Sequence, residues 1–137
     1  MTDAIYTARA HAVGGREGTA KTDDGHLDVK LGYPKSMGGN GEGTNPEQLF
    51  AAGYGACFLG ALGLVARGQG VKLGEHSLDV EVDLIKDDVS FHVGARLTLN
   101  APGLDKETAE KILHAAHEVC PYSKATRGNI EVELKVA

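Results

Sequence analysis

Two thiols are the groups best suited to chemistry in this chain: Cys57 and Cys120, its two cysteines, sixty-three residues apart. The nucleophilic form of cysteine is the thiolate, and a free thiol with a pKa of about 8.5 is only slightly ionised at neutral pH. Once a thiolate is oxidised to sulfenic acid, a second thiol that can approach it closes a disulfide. Cys57 lies in an uncharged stretch with Phe50, Tyr54, Ala61 and Leu64, surroundings in which a cysteine is usually an inert piece of core. Cys120 changes that reading. It ends the apolar helical face formed by Ala109, Ile112, Leu113 and Ala116, and Pro121 follows it, so the backbone there can shift without unravelling a helix. Two cysteines are too few for a secreted disulfide scaffold but permit one long-range pair, transient in a reducing compartment.

The other polar groups are less informative alone. His114, His117 and Cys120 raise the question of a zinc site, but His114 and Cys120 lie about 120° apart around a helix and do not converge on one ion; no metal site is expected. The glycines between Gly38 and Gly43 lack the Lys-Ser/Thr of a phosphate-binding loop and read as a mobile loop. Arg16, in the turn Gly14-Gly15-Arg16-Glu17-Gly18, reads by itself as a solvated arginine. Glu47 reads as a first-turn acid that favours the helix dipole.

The elements that must position these groups follow from periodicity. Ile5–Val13 and Thr19–Thr22 read as strands around the glycine-rich turn, and after Asp23-Asp24-Gly25 the alternation of Leu27, Val29 and Leu31 predicts a third strand. Residues 34–45 form a loop. Asn45-Pro46-Glu47-Gln48 is a strong helix start, and the helix is expected to run from Pro46 to about Ala66. Its four interior glycines cost about 1 kcal/mol each relative to alanine. The rows Ala52/Ala56/Gly60 and Gly53/Cys57/Ala61 therefore call for close packing against something. Leu78 to Leu84 and Val89 to Leu99 alternate as two strands about Lys86-Asp87-Asp88. Asp105 caps a second helix, which should end at Cys120 before Pro121, and Ile130 to Val136 form the last strand. The order is β-β-β-α-β-β-α-β, an α+β fold in a single domain over residues 1–137.

Composition narrows the function. A net charge of −5 and a pI near 5.6 disfavour nucleic-acid binding. The N-terminus turns charged at Asp3 with no apolar leader, so a cytoplasmic location is expected. Residues 49–66 carry no charge over eighteen positions, the lower limit for a membrane span. Four glycines in that stretch point to a buried helix of a soluble domain, and no membrane association is expected.

Several stretches together resemble one known family. They are Gly14-Gly15-Arg16-Glu17-Gly18, Leu27-Asp28-Val29, the run from Gly43 to Tyr54, the run Ala56-Cys57-Phe58-Leu59-Gly60-Ala61-Leu62, and Val119-Cys120-Pro121-Tyr122-Ser123 through Asn129. They resemble organic hydroperoxide resistance proteins of the osmotically induced protein C superfamily, from the first strand to the last. The resemblance implies a thiol peroxidase that reduces alkyl and fatty-acid hydroperoxides, with Cys57 peroxidatic, Cys120 resolving, and Arg16 and Glu47 activating the site. It implies an intertwined homodimer with sheets wrapped around central helices. It also implies no bound cofactor and recycling by a dihydrolipoyl group on a partner protein.

General chemistry agrees with this. A cation must favour the thiolate, and Arg16 is always charged, with Glu47 able to hold its guanidinium in a fork-shaped pair. Phe50, Tyr54, Phe58 and Leu59 are candidates to line an apolar substrate pocket. Glu47 and Cys57 are ten residues apart, about 15 Å along an unbroken helix. Either the helix breaks, Arg16 bridges the gap, or Glu47 serves the cysteine of a second subunit; the third arrangement is favoured. Two readings from other classes compete with catalysis: a redox-sensing disulfide switch, and a ligand-binding module whose thiols stay reduced.

Overall fold

The computed structural model describes residues 3–137. Its strands are β1 (Ala10–Val13), β2 (Thr19–Thr22), β3 (Asp28–Lys30), β4 (Ser77–Lys86), β5 (Phe91–Asn100) and β6 (Val132–Val136). Its helices are α1 (Pro46–Gly68), α2 (Lys106–Val119) and α3 (Pro121–Thr126), with single 3-10 turns at Gly15–Glu17 and Lys35–Met37. This is the α+β order expected from the alternating strands and capped helices, with α3 added. The chain divides into two compact units, one ending at Leu49 and one running Phe50–Ala137.

The first unit holds an antiparallel sheet in the order β1-β2-β3. β1 begins at Ala10 and not at Ile5, because Ala10 pairs with Thr22, the last residue of β2; just before it, Arg9 O accepts the Asp23 N–H at 3.2 Å, in the turn that follows β2. The loop after β3 is tied back by the bridge between Leu31 and Thr44 and by Thr44 N–H donating to Lys30 O at 2.9 Å.

α1 starts where the capping residues require. Asn45 Oδ1 accepts the Gln48 N–H at 2.9 Å, satisfying one of the free donors of the first turn. The helix runs unbroken to Gly68, two residues past the expected end.

In the second unit β4 and β5 form a ten-residue antiparallel pair, with Leu78, Val80, Val82 and Leu84 opposite Leu99, Leu97, Ala95 and Val93. On the other face Arg96 lies opposite Glu81, and its guanidinium bonds Asp83 at 2.5 and 2.9 Å and Glu81 at 3.2 Å. β6 pairs with β5 in parallel. A parallel pair needs a long crossover, and α2 with α3 supplies it, giving one βαβ connection that the order of elements does not announce. Tyr54, Phe58 and Leu62 of α1, Leu97 and Leu99 of β5, and Ile112 and Leu113 of α2 are fully buried in one core, each apolar side chain contributing about 1.5–3 kcal/mol.

The two small-residue rows of α1 differ. A Cβ at Gly53 would come 2.9 Å from the Tyr122 hydroxyl, so this row is covered within the unit. Ala52, Ala56 and Gly60 are exposed, among the described residues nothing beyond the helix's own backbone lies within 4 Å of a Cβ at Gly60, and Leu64 is 60% exposed beyond them. By length and composition α1 is apolar enough to cross a membrane, but Tyr54, Phe58 and Leu62 bury one side of it in the core.

Candidate active site

Arg16 is presented by a turn built on glycine. Gly14 and Gly15 have φ of 76° and 66°, a region that side chains other than glycine rarely adopt. A Cβ at Gly18 would lie 1.7 Å from the Val13 carbonyl oxygen, so no larger residue fits there. The single 3-10 turn between them carries Arg16. Its Nη1 donates to Glu47 Oε1 at 2.6 Å and its Nη2 to Glu47 Oε2 at 2.9 Å, the two-pronged geometry that arginine forms with carboxylates. The side chains are 31% and 17% exposed. The hydrogen bonds to Glu47 hold the Arg16 pKa above its ordinary value. The arginine is therefore fixed in position by the first turn of α1.

Cys57 and Cys120 are brought together within the second unit. Both are free thiols, and their sulfurs lie 3.5 Å apart. Cys57 is in mid-α1. Cys120 is fully buried and forms the joint between α2 and α3, with φ −59° and ψ 125°. Pro121 explains both sides of that joint: it disfavours helical geometry at the residue before it and is well placed as the first residue of the next helix. Burial pushes the Cys57 thiol pKa up, the Tyr122 N–H donating to its sulfur pulls it down, and the neighbouring Cys120 pushes it up again, since two thiolates in contact repel.

The candidate pocket residues are placed differently from one another. Tyr54 and Phe58 are fully buried core residues, while Phe50 is half-buried and stacks on Tyr122, with ring centroids 6.1 Å apart and planes 18° apart. Leu59 lies on a groove of about 590 Å³ with Gly60, Gly63, Arg67 and Val71. His114 is exposed, 3.7 Å from Glu110. Among the described residues no cluster of three metal-ligating side chains occurs.

A buried polar network beside the sulfurs was not visible in the spacing of residues. The Tyr54 hydroxyl lies 2.9 Å from both Ser123 Oγ and Thr126 Oγ1. Ser123 Oγ is in turn 2.8 Å from His117 Nδ1. Arg127 Nη1 donates to the His117 carbonyl. The signal in the sequence is the polar pair Ser123 and Thr126 within six residues of Cys120, on α3, a helix too short for periodicity to predict.

Comparison with known proteins bears on the whole arrangement. The family described as OsmC-like protein matches residues 39–135. An organic hydroperoxide resistance protein of Xanthomonas axonopodis pv. citri is 50% identical, covering 97% of this chain and 95% of that protein. The crystal structure of an organic hydroperoxide resistance protein from Legionella pneumophila superposes with a TM-score of 0.93 at 46% identity, covering 98% of this chain and 99% of that one. That of the organic hydroperoxide resistance protein OhrB of Bacillus subtilis gives 0.89 at 47% identity, covering 98% and 100%.

Proposed function

Because this chain belongs to the OsmC-like family, with relatives named for resistance to organic hydroperoxides, we propose that it is a cysteine peroxidase that reduces alkyl and fatty-acid hydroperoxides to alcohols. The observation that carries this reading is the pair of free sulfurs 3.5 Å apart. The Cys57 thiolate attacks one peroxide oxygen, the O–O bond breaks, and the alkoxide leaves as alcohol after taking a proton. Cys57 is left as sulfenic acid. The Cys120 sulfur displaces its hydroxyl, which departs as water with the Cys120 proton, and the disulfide remains. A dithiol of the lipoyl type, carried by a partner protein, returns both thiols by exchange through a mixed disulfide. No bound cofactor or metal enters these steps.

The net upward pressure on the Cys57 pKa is what a resting thiol needs a cation to overcome. Arg16 is that cation in this proposal, held by Glu47 so that its free N–H groups face the sulfur and the peroxide. With α1 unbroken, a helix break does not explain the ten-residue gap between Glu47 and Cys57. Of the two arrangements that remain, Arg16 bridging the gap within one chain or a shared site, the one favoured is a homodimer in which Arg16 and Glu47 of one subunit serve Cys57 of the other. The uncovered face of Ala52, Ala56 and Gly60 supports close approach of a second α1. A cytoplasmic setting, where dithiols are available, belongs to the same proposal.

The test is a count of free thiols before and after one equivalent of tert-butyl hydroperoxide. Loss of two thiols per chain with formation of one alcohol, repeated on adding dihydrolipoamide, is the expected result. Unchanged thiols would point to a binding module. A single oxidation that is not turned over by dithiol would point to a redox switch.

A further inference from the structure

The hydroxyl network beside the sulfurs has a direction, fixed by the one member that can only accept. Thr126 Oγ1 lies 3.2 Å from the Ser123 carbonyl oxygen. A carbonyl has no proton to give, so Thr126 spends its single hydroxyl proton there. The contact of 2.9 Å between Thr126 and Tyr54 must then be donated by the Tyr54 hydroxyl. That uses the only proton of Tyr54, so the 2.9 Å contact with Ser123 is donated by Ser123. Ser123 in turn has nothing left for its 2.8 Å contact with His117, and His117 Nδ1 must donate. Tyr54, Ser123 and Thr126 are buried, and among the described residues no buried side-chain polar atom lacks a partner.

The members of this chain are spaced regularly about the sulfurs. Tyr54 is one helical turn before Cys57 on α1, His117 one turn before Cys120 on α2, and Ser123 three residues after Cys120 on α3. The chain thus ties together the three helices whose ends and faces carry the two thiols and the Tyr122 N–H. We propose that His117, Ser123, Tyr54 and Thr126 form a one-way hydrogen-bond chain, begun by a proton on His117 Nδ1, that positions Cys120 and the Tyr122 N–H for disulfide closure. The 3.5 Å sulfur separation is about the distance at which reacting atoms gain from being held. These are positioning residues: the hydrogen bonds that link them run to one another and to the Ser123 carbonyl, not to either sulfur. Arg127, bonded to the His117 carbonyl, braces the same joint and disfavours the imidazolium. Neutral His117 is thereby required to be the Nδ1–H tautomer, with Nε2 unprotonated.

The kinetic consequence rests on the peroxidase reading, but closure of the same disulfide can be driven independently. Diamide takes two hydrogens from the Cys57 and Cys120 thiols and becomes its hydrazine, with no sulfenic acid involved. Three measurements on the reduced full-length chain test the proposal. ¹⁵N NMR of labelled histidines, with His117 assigned by the signal lost in His117→Asn, should show the Nδ1–H tautomer at neutral pH; an Nε2–H tautomer would overturn the stated direction. Tyr54→Phe, which deletes only a hydroxyl, should slow closure by diamide about fivefold, the change that one lost hydrogen bond corresponds to. His117→Phe should slow closure similarly, whereas His117→Asn, with an amide N–H near the Nδ1 position, should recover most of the rate. Equal closure rates in wild type, Tyr54→Phe and His117→Phe would overturn the positioning role. A wild-type protein that closes with diamide but not with hydroperoxide would refute the peroxidase reading alone.

Discussion

Arg16 and Glu47, thirty-one residues apart, face each other through two parallel hydrogen bonds of 2.6 and 2.9 Å. A guanidinium held this way keeps its remaining N–H groups in a fixed plane, whereas an ammonium at the same place would be a point charge on a flexible stem. Arg16→Ala should therefore slow alkylation of Cys57 by iodoacetamide and hydroperoxide reduction together, by about tenfold to a hundredfold, the range for a hydrogen bond to a charged group. Arg16→Lys should recover only a small part of each rate. Alkylation as fast as in wild type would remove Arg16 from thiol activation.

The proposed mechanism gives the two sulfurs distinct roles, which substitution separates. Cys57→Ser should abolish hydroperoxide consumption. Cys120→Ser should consume about one equivalent and stop at a sulfenic acid that dimedone captures. Equal loss in both variants with no captured sulfenic acid would reverse the assignment.

His117 links the buried network to acid stability. Burial, with Arg127 nearby, holds its pKa below the ordinary 6.5; Glu118 opposes that shift and His114 adds to it. Between the depressed value and 6.5 the unfolded chain binds more protons than the folded one, so stability is complete above 6.5 and falls as pH drops through that window. The carboxylates with lowered pKa, such as Asp87 at about 2, lose their contribution at lower pH. Urea unfolding between about pH 7 and about pH 5 should show this loss in wild type and a shallower one in His117→Asn. Identical slopes would show that His117 is not the titrating group.

Sharing of the site between subunits can be read from a mixed dimer carrying Glu47→Ala in one chain and Cys57→Ser in the other. With Glu47 acting across the interface, one complete site remains and about half of wild-type activity is expected, as in any two-fold dimer with one intact site. Activity no higher than that of the Glu47→Ala homodimer would place Glu47 in the site of its own chain.

The legible parts of the fold were those where one local rule acts alone. The alternation in Leu78–Leu84 foretells β4 because one face of that strand is half-buried against the core and the other carries Asp79, Glu81 and Asp83. Asn45 and Pro46 mark the start of α1 because capping is a short-range interaction. Pro121 ends α2, as its effect on the residue before it predicts, but the same ring also opens α3, and a six-residue helix is too short to show a period. The crossover to β6 depends on which strand it pairs with, information absent from its own residues. The neighbours of Tyr54 in sequence suggest a pocket residue, but its hydroxyl partners, sixty-nine and seventy-two residues away, are not legible from them. The roles of Arg16 and Glu47 came from family resemblance, since nothing in their spacing joins them.

The position of Cys120 at the α2–α3 joint also has a consequence for synthesis. Cys57 leaves the ribosome well before Cys120, and the parallel strand β6 that completes the second sheet comes last of all. Until then the first thiol lacks both the second sulfur that lies 3.5 Å away in the folded chain and the completed core that it packs against. An oxidant meeting the chain at this stage can carry the lone sulfur past sulfenic acid to irreversible sulfinic and sulfonic states. On the peroxidase reading the chain is thus most exposed to hydroperoxide damage during translation, and prompt docking of α2 and α3 both protects the nascent thiol and assembles the site.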